Sequence, residues 1–493
     1  MVTFVQKSSS GVLGLALALA FCSTAWADTS TLEQSVERAI LSNPEVSAEF
    51  QNFQSSLEGQ KVGRGRLLPE VNVQGWTGHE WRGHSDNSDS NDWHRNGYSL
   101  SLRQLIFDGF STINDWRQLG FEKLSDYYEL LSTVDNLALQ AAEAYLDVKR
   151  YREQADLARD NYAVHQDILG QIAERSHSGV GRGVDEVQAQ ARVALAQTNY
   201  MTATGNLNEV LQRYQRVVGS PAPEDLQAPP AVTDALPVNP TNFTDSIRRN
   251  PAVLSKQALV QAANAGKASA QGHFAPTLEL RAATGRDRDQ EPGYIGRDAQ
   301  ASNVQLMMSF NLFRGGSDAA RVRQTAAQAY AARDVRDYTC RNIQQELAIA
   351  WSNMVRLREQ LPFLQEHETS IARVRVAYMQ QFRIGQRSLL DLLDTENELF
   401  DARRALVNGT FDLAKAEYNW LAQSHKLLPA LGLAQPYDQQ PSEAGKLEFP
   451  DEILNACIKP APDTSDLKPI SVSYQDGVKP PVLSLPKTLA QAQ

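Results

Sequence analysis

At 493 residues the chain is longer than the roughly 250–300 that one hydrophobic core usually serves, so two or more units or an elongated body are expected. A formal charge of −10, from 48 Lys and Arg against 58 Asp and Glu, offers no clustered positive surface for a nucleic-acid backbone, and DNA and RNA are set aside as partners. The one sustained apolar run, residues 12–21, is shorter than the ~18 residues a spanning helix needs; it excludes a polytopic helical membrane protein and leaves an outer-membrane barrel open.

That run follows Lys7 and precedes Ala25-Trp26-Ala27, the parts of a secretory signal, with cleavage expected before Asp28. Cys22 follows Phe21 rather than a small residue, which argues against lipidation. After the leader only Cys340 and Cys457 remain, so a disulfide scaffold is excluded and one bridge is the most the chain can form.

The rest of the chain repeats itself. Asn43-Pro44-Glu45-Val46 returns 207 residues later as Asn250-Pro251-Ala252-Val253, and Leu68-Pro69 returns as Ala275-Pro276. Phe107-Asp108-Gly109 returns 206 residues later as Phe313-Arg314-Gly315, as do Gly179 and Asp185 in Gly385 and Asp391. A constant offset marks a tandem duplication. We divide the chain into a leader (1–27), a first unit (28–218), a proline-rich linker (219–241), a second unit (242–428) and a proline-rich tail (429–493). The tail is expected to be extended, partly disordered or wrapped on the body.

Each unit mixes helical composition with two short alternating stretches. Val71 and Val73 alternate with Asn72 and Gln74, and Tyr98, Leu100 and Leu102 with Ser99, Ser101 and Arg103. Leu278 and Leu280 alternate with Glu279 and Arg281, and Val304, Leu306, Met308, Phe310 and Leu312 with Gln305, Ser309 and Asn311. These predict strands over about 70–79, 97–107, 276–285 and 302–313, each pair separated by an exposed polar loop, 80–95 and 286–300. Four strands cannot close a membrane barrel, which begins at about eight, so copies must share one; two would supply eight strands and three twelve.

Long helices follow, over residues 111–176 and 317–383, each able to extend about 100 Å and so to project into an aqueous space. Pro362 predicts a break or kink in the second. Leu392, Leu399, Leu406, Leu413 and Trp420 recur every seven residues, with Thr395, Ala402 and Gly409 beside them, and Ala189, Ala196 and Ala203 match the small residues in the first unit. This is a coiled-coil seam with close helix approach, which an ordinary soluble bundle would share, but without the strands.

Searches for a phosphate loop, a nucleophile elbow and a His-Glu-x-x-His pair find nothing, so no enzyme and no cofactor are assigned. His79, His84 and His94 lie near Asp86, Asp89 and Asp92, but their spacing matches no ligand set, so no metal is assigned. Gly179-Val180-Gly181-Arg182-Gly183 reads as a helical-hairpin turn rather than a phosphate cradle, because no strand precedes it. Its counterpart is the turn through Ile384, Gly385 and Gln386, which leads into Asp391 and Asp394, three apart on one helix face. Around a symmetry axis these carboxylates would attract cations, restrict a pore and raise one another's pKa; locally they are the acidic start of a solvated helix.

The duplicated helix-strand-strand-helix unit, the Asn-Pro-x-Val element and the run Phe382-Arg383-Ile384-Gly385-Gln386-Arg387-Ser388-Leu389-Leu390-Asp391-Leu392-Leu393-Asp394-Thr395-Glu396-Asn397-Glu398-Leu399 resemble the TolC family of outer-membrane channel-tunnels, the outer-membrane efflux proteins, nearest its type I secretion branch. The resemblance covers residues 32–433 and implies an α+β fold: a homotrimer with a shared twelve-stranded antiparallel barrel in the outer-membrane lipid, standing on a periplasmic α-helical barrel. It implies Asp391 and Asp394 as entrance carboxylates, and Asp185 and Arg387 as closed-gate contacts, with Phe382 where the founding member has a gate tyrosine. The two turns, at Gly179, Val180 and Gly181 and at Ile384, Gly385 and Gln386, are the expected docking tips for a periplasmic membrane-fusion adaptor. The expected function is a passive exit duct for cargo from an inner-membrane ABC transporter. The alternative is the outer-membrane part of a tripartite multidrug efflux pump with a proton-driven partner, and the rival of another class is a soluble periplasmic coiled-coil scaffold.

Overall fold

The computed structural model describes residues 31–82, 91–179, 181–237, 243–289, 297–437 and 439–459; the expected leader, Val180 and the last part of the tail lie outside these. Two halves follow one plan. The first runs α1 (Leu32–Ser42), α2 (Pro44–Gly65), β1 (Glu70–Arg82), β2 (Asn91–Phe107), α3 (Ser111–His177) and α4 (Gly183–Val218). The second runs α5 (Thr244–Arg249), α6 (Pro251–Gly272), β3 (Thr277–Asp289), β4 (Arg297–Ser309), α7 (Ser317–Arg383) and α8 (Leu389–Gln423), followed by the short α9 (Leu427–Ala430) and α10 (Asp451–Cys457).

The repeated Asn-Pro pair is a helix start. Asn43 Oδ1 accepts the Glu45 amide at 2.9 Å with Pro44 at the first helical position, and Asn250 Oδ1 accepts the Ala252 amide at 3.0 Å ahead of Pro251. Proline fits because the first turn has no intrahelical use for the N–H it lacks. The other end of each amide reaches across the fold: Asn43 Nδ2 donates to the Val217 carbonyl at 3.2 Å, and Asn250 Nδ2 to the Gln423 carbonyl at 2.9 Å. One side chain thus starts a helix and ties it to the last turn of its unit's final helix.

Helices α3 and α7 are 67 residues each, about 100 Å at ~1.5 Å per residue. The break expected at Pro362 does not occur; α7 continues through it. Packing on α8 offsets the lost hydrogen bond. A Cβ at Gly409 would lie 2.6 Å from Leu364 Cδ1 and 3.6 Å from Leu361 Cδ1, so α7 touches the α8 backbone on both sides of the proline. Along the seam Ala189, Ala196, Thr395 and Ala402 are buried, as close approach requires.

The strands form one antiparallel sheet in the order β1-β2-β3-β4, open at both edges within one chain. Register puts Val71, Leu102, Ala282 and Val304 in one row and Leu280 and Leu306 in the next, so one face is apolar; Val71, Val73, Val304, Leu306 and Met308 on it are exposed. The opposite face is charged and paired, with Arg103 and Arg281 on Glu279 and Arg95 on Asp287. That is a barrel wall with a lipid side and a lumen side. Among the described residues no helix is long and apolar enough to cross a membrane. The strands run further outward than the alternation predicts, to Arg82 and Asp289 and from Asn91 and Arg297, so parts of both expected loops are strand. β4 ends at Ser309, which leaves Phe310, Leu312 and Phe313 beyond it, exposed.

The tail wraps on the body as far as residue 459. Tyr437 stacks on Phe50 at 4.7 Å, and Glu443 meets Lys123 at 2.7 Å and Gln60 at 2.8 Å. Asp451 pairs with Arg248, the Glu448 carbonyl accepts from Gln257, and the Lys459 amide donates to Gln344 at 2.9 Å. Cys457 forms a disulfide with Cys340 of α7. The segment therefore crosses α2, α3, α6, α5 and α7 in turn.

Candidate gate at the helix tips

Each long helix ends in a glycine that takes the left-handed conformation, Gly179 at φ +77° and Gly385 at φ +76°. Both have open space where a Cβ would stand, so backbone torsion rather than crowding selects glycine. The turns close on backbone bonds, the Gly181 amide to the Arg175 carbonyl and the Gln386 amide to the Gln381 carbonyl, each 2.8 Å. Ile384 projects into solvent at the second tip.

Just above the tips, Ile168, Ile172, Ala189, Leu389, Leu392 and Leu393 form a small apolar core distinct from the main one. Phe382 belongs to it at 6% exposure, with the Arg175 guanidinium 5.0 Å from its ring. Within one chain it therefore packs α7 against α3, α4 and α8. Ser388 caps α8 by accepting the Asp391 amide at 3.2 Å.

Arg387 lies over the Tyr378 ring at 4.1 Å, donates to Gln381 Oε1 at 3.1 Å and stands 3.5 Å from Asp391. The Ser388 hydroxyl, then its backbone amide and the Arg387 charge, hold the Asp391 carboxyl below its usual range. Within one chain this is the reverse of the upward shift expected from carboxylates crowded around an axis. Asp394 bonds Arg192 of α4 at 2.6 Å. Asp391 and Asp394 thus share a helix face but answer to different arginines. Asp185, in the first turn of α4, has no ion pair with Arg387 within the chain among the described residues.

Arg192 is the residue that sequence reasoning missed. It lies between the small seam residues Ala189 and Ala196, and its repeat position 206 residues later is the acidic Glu398. A charge reversal between repeats beside the seam was the available signal. At the other end of the molecule, His79 and His94 face each other across β1 and β2 with ring centroids 5.4 Å apart, while His84, Asp86 and Asp89 lie outside the described residues. Among the described residues no group of three or more metal-ligating side chains forms.

A membrane-facing sheet with open edges, set on helices far longer than a bilayer is thick and ending in charged tips, defines a subunit of an outer-membrane channel-tunnel. The chain belongs to the outer membrane efflux protein family, whose family model matches residues 35–220 and 244–433. It is 26% identical over 323 residues to the outer membrane efflux protein BepC of Brucella suis, covering 65% of this chain and 70% of that one. It is 23% identical over 398 residues to the alkaline protease secretion protein AprF of Pseudomonas aeruginosa, covering 78% and 80%. The crystal structure of the Campylobacter jejuni CmeC outer membrane channel superposes with a TM-score of 0.74 at 15% identity, over 84% of this chain and 88% of that one. The protein therefore sits in the outer membrane and extends into the periplasm, which sets aside the soluble scaffold.

Proposed function

We propose that three copies of the chain form a passive exit duct for a type I secretion system, opened when a periplasmic adaptor and an inner-membrane ABC transporter dock at the helix tips. One observation carries the reading: the open edges of the sheet continue as two unlike flanks down the whole molecule. α2 and α4 pack on α3 and stand on the β1 side, while α7 packs on α6 and α8 and stands on the β4 side. Each flank leaves apolar side chains exposed, Val62, Val187, Leu195 and Met201 on the first and Tyr330, Ile349, Phe363 and Val376 on the second. Unlike flanks make a head-to-tail contact, β1, α2 and α4 of one copy on β4 and α7 of the next, and such contacts form a ring where the rotation between copies closes. Three copies would supply twelve strands, in keeping with the family.

The likeness to AprF, named for alkaline protease secretion, supports type I export. The likeness to BepC, named an efflux protein, favours a second reading, the outer-membrane part of a multidrug efflux pump with a proton-driven partner. Native mass measurement in detergent tests the assembly: three copies are expected, and a monodisperse monomer ends the reading. Deletion in the host separates the two systems. Loss of a secreted protein from the medium supports secretion, and hypersensitivity to small toxic molecules with secretion intact supports efflux.

A further inference from the structure

The two units of one chain meet each other, and that junction is a template for the contact between copies. β2 pairs with β3, and α3 packs along α6. Through the repeat, each β2 or α3 residue has a counterpart 206 positions later in β4 or α7, and each β3 or α6 residue has one 207 positions earlier in β1 or α2. Those counterpart elements line the two free edges of the chain.

Two features have no cause within one chain. The first is the early end of β4. The inward end of β2 is strand because of β3, with Gln104 on Leu280, Leu105 on Glu279 and Phe107 on Leu278, whereas β1 reaches only to Arg103. The counterparts Phe310, Asn311 and Phe313 fall beyond Ser309, exposed, although the apolar alternation runs on to residue 312. The counterparts of Leu280, Glu279 and Leu278 are Val73, Asn72 and Val71 on the open edge of β1, and both valines are exposed. The second feature is glycine. At the in-chain junction a Cβ on Gly272 would lie 2.6 Å from the Gly109 carbonyl oxygen, and one on Gly266 would lie 2.6 Å from Gln118 Oε1. Gly272, Gly266 and Gly109 return as Gly65, Gly59 and Gly315, and Gln118 returns as Gln324. Among the described residues nothing stands within 4 Å of a Cβ at any of these three glycines. Gly315 has a left-handed torsion, φ +64°, to account for it. Gly59 and Gly65 are helical residues of α2, where alanine would be the more favourable choice.

We infer that the β1 and α2 edge of one copy binds β4 and α7 of a second copy in the register of the in-chain junction, with Val73 opposite Phe310 and Gly65 against Gly315. The second copy completes the inward end of β4, which one chain leaves without a partner strand. The same register sets Leu306 opposite Thr77 and Met308 opposite Gly75 on the lipid side, and Ser309 opposite Gln74 on the lumen side, so the two walls join with their faces matched. A slip of one residue would turn Met308 and Phe310 toward the lumen. The copy is not complete. The hydroxyl pairs Ser111 with Ser269 and Ser125 with Ser255, each 2.9 Å, have as counterparts Ser317 with Val62 and Ala331 with Ala48. The contact between copies therefore lacks those hydrogen bonds and depends on the strand ladder and on close helix approach at glycine.

The inference rests on the assembly proposed above and adds its register. The test places cysteine pairs in full chains that keep the native disulfide. The matched pairs are Phe310→Cys with Val73→Cys and Ser309→Cys with Gln74→Cys; the pairs slipped by two residues are Phe310→Cys with Val71→Cys and Phe310→Cys with Gly75→Cys. Oxidation in membranes is expected to link the matched pairs into reductant-sensitive dimers and trimers, because directly opposed Cβ atoms lie within disulfide reach and diagonal ones do not. In a second arm Gly59→Leu and Gly65→Leu are expected to keep the parent's helical circular dichroism and to lower trimer yield about tenfold or more, since a side chain at either seat overpacks the contact. Gly170→Leu, at an equally open helical glycine whose counterpart is Val376, is expected to leave trimer yield unchanged. Preferential linking of a slipped pair overturns the register and leaves the assembly standing, as do full trimer yields from both α2 variants. A parent that is monomeric in detergent and unlinked in membranes removes the assembly and this inference with it.

Discussion

The Arg192 to Asp394 bridge joins α4 to α8 just above the tips, the level that would have to widen for cargo to pass under the function proposed above. With a contact of 2.6 Å and side chains 31% and 55% exposed, it is a solvated ion pair. Such pairs contribute about 0.2–1 kcal/mol each. If opening parts α4 from α8 in all three copies together, three bridges break, about 0.6–3 kcal/mol, which shifts the open-to-closed ratio roughly threefold to a hundredfold. Arg192→Gln and Asp394→Asn should each raise resting open probability in planar bilayers by a factor in that range. Because both remove one interaction, the double variant should open no more than either single. Arg192→Gln should also uncover Asp394 and strengthen block by trivalent cations, an effect Asp394→Asn must abolish. Additive effects on opening, or an unchanged conductance and block in correctly assembled channels, refute the bridge as a latch.

Replacing Asp391 and Asp394 together with alanine should remove trivalent-cation block, and Asp185→Ala with Arg387→Ser should raise resting conductance if those side chains meet across copies; unchanged traces would assign both pairs to local helix solvation. The Asp391 carboxyl is depressed in the folded chain, so its ionised form and the contribution it makes to the start of α8 are present above its ordinary range and lost as pH falls through the depressed value. Cation block should accordingly persist to lower pH in the parent than in Ser388→Ala, and coincident pH profiles would contradict the cap as the cause. Bulky replacements at Gly179, Gly181, Ile384, Gly385 and Gln386 should stop export with membrane insertion intact; at Gly385 a branched residue adds strain of about 1–2 kcal/mol from the left-handed torsion. Survival of export in all of them would make the tips ordinary turns. Cys340→Ser with Cys457→Ser opens a link spanning 117 residues, a loss of about 2–5 kcal/mol. Limited proteolysis should then cut residues 434–459 faster, and an unchanged cutting rate would mean the polar contacts alone hold the strap.

The parts legible in the sequence are those written in local chemistry and repeated. Asn43-Pro44 and Asn250-Pro251 signal helix starts because cap and proline act within one turn, and Val71, Leu100, Leu280 and Leu306 signal strands because lipid and water face opposite sides of one wall. The outer strand ends carried no such signal. Beyond Tyr98 the lipid side also turns polar, with Asn96, Arg286 and Arg288, so apolar alternation stops although pairing continues to Arg82 and Asp289. Of the break or kink that Pro362 suggested, the break does not form: the proline's cost is local, while the packing on Gly409 around it comes from another helix. The Arg192 to Asp394 bridge, 202 residues apart, and the Cys340 to Cys457 link both join partners whose proximity follows only from how hairpins and tail are laid side by side. Both fall where the repeat breaks, at a charge reversed between units and at a tail outside them. In a duplicated chain such departures mark contacts that one unit makes and the other lacks, so the bridge and the disulfide-held tail are features of this chain rather than of the shared unit.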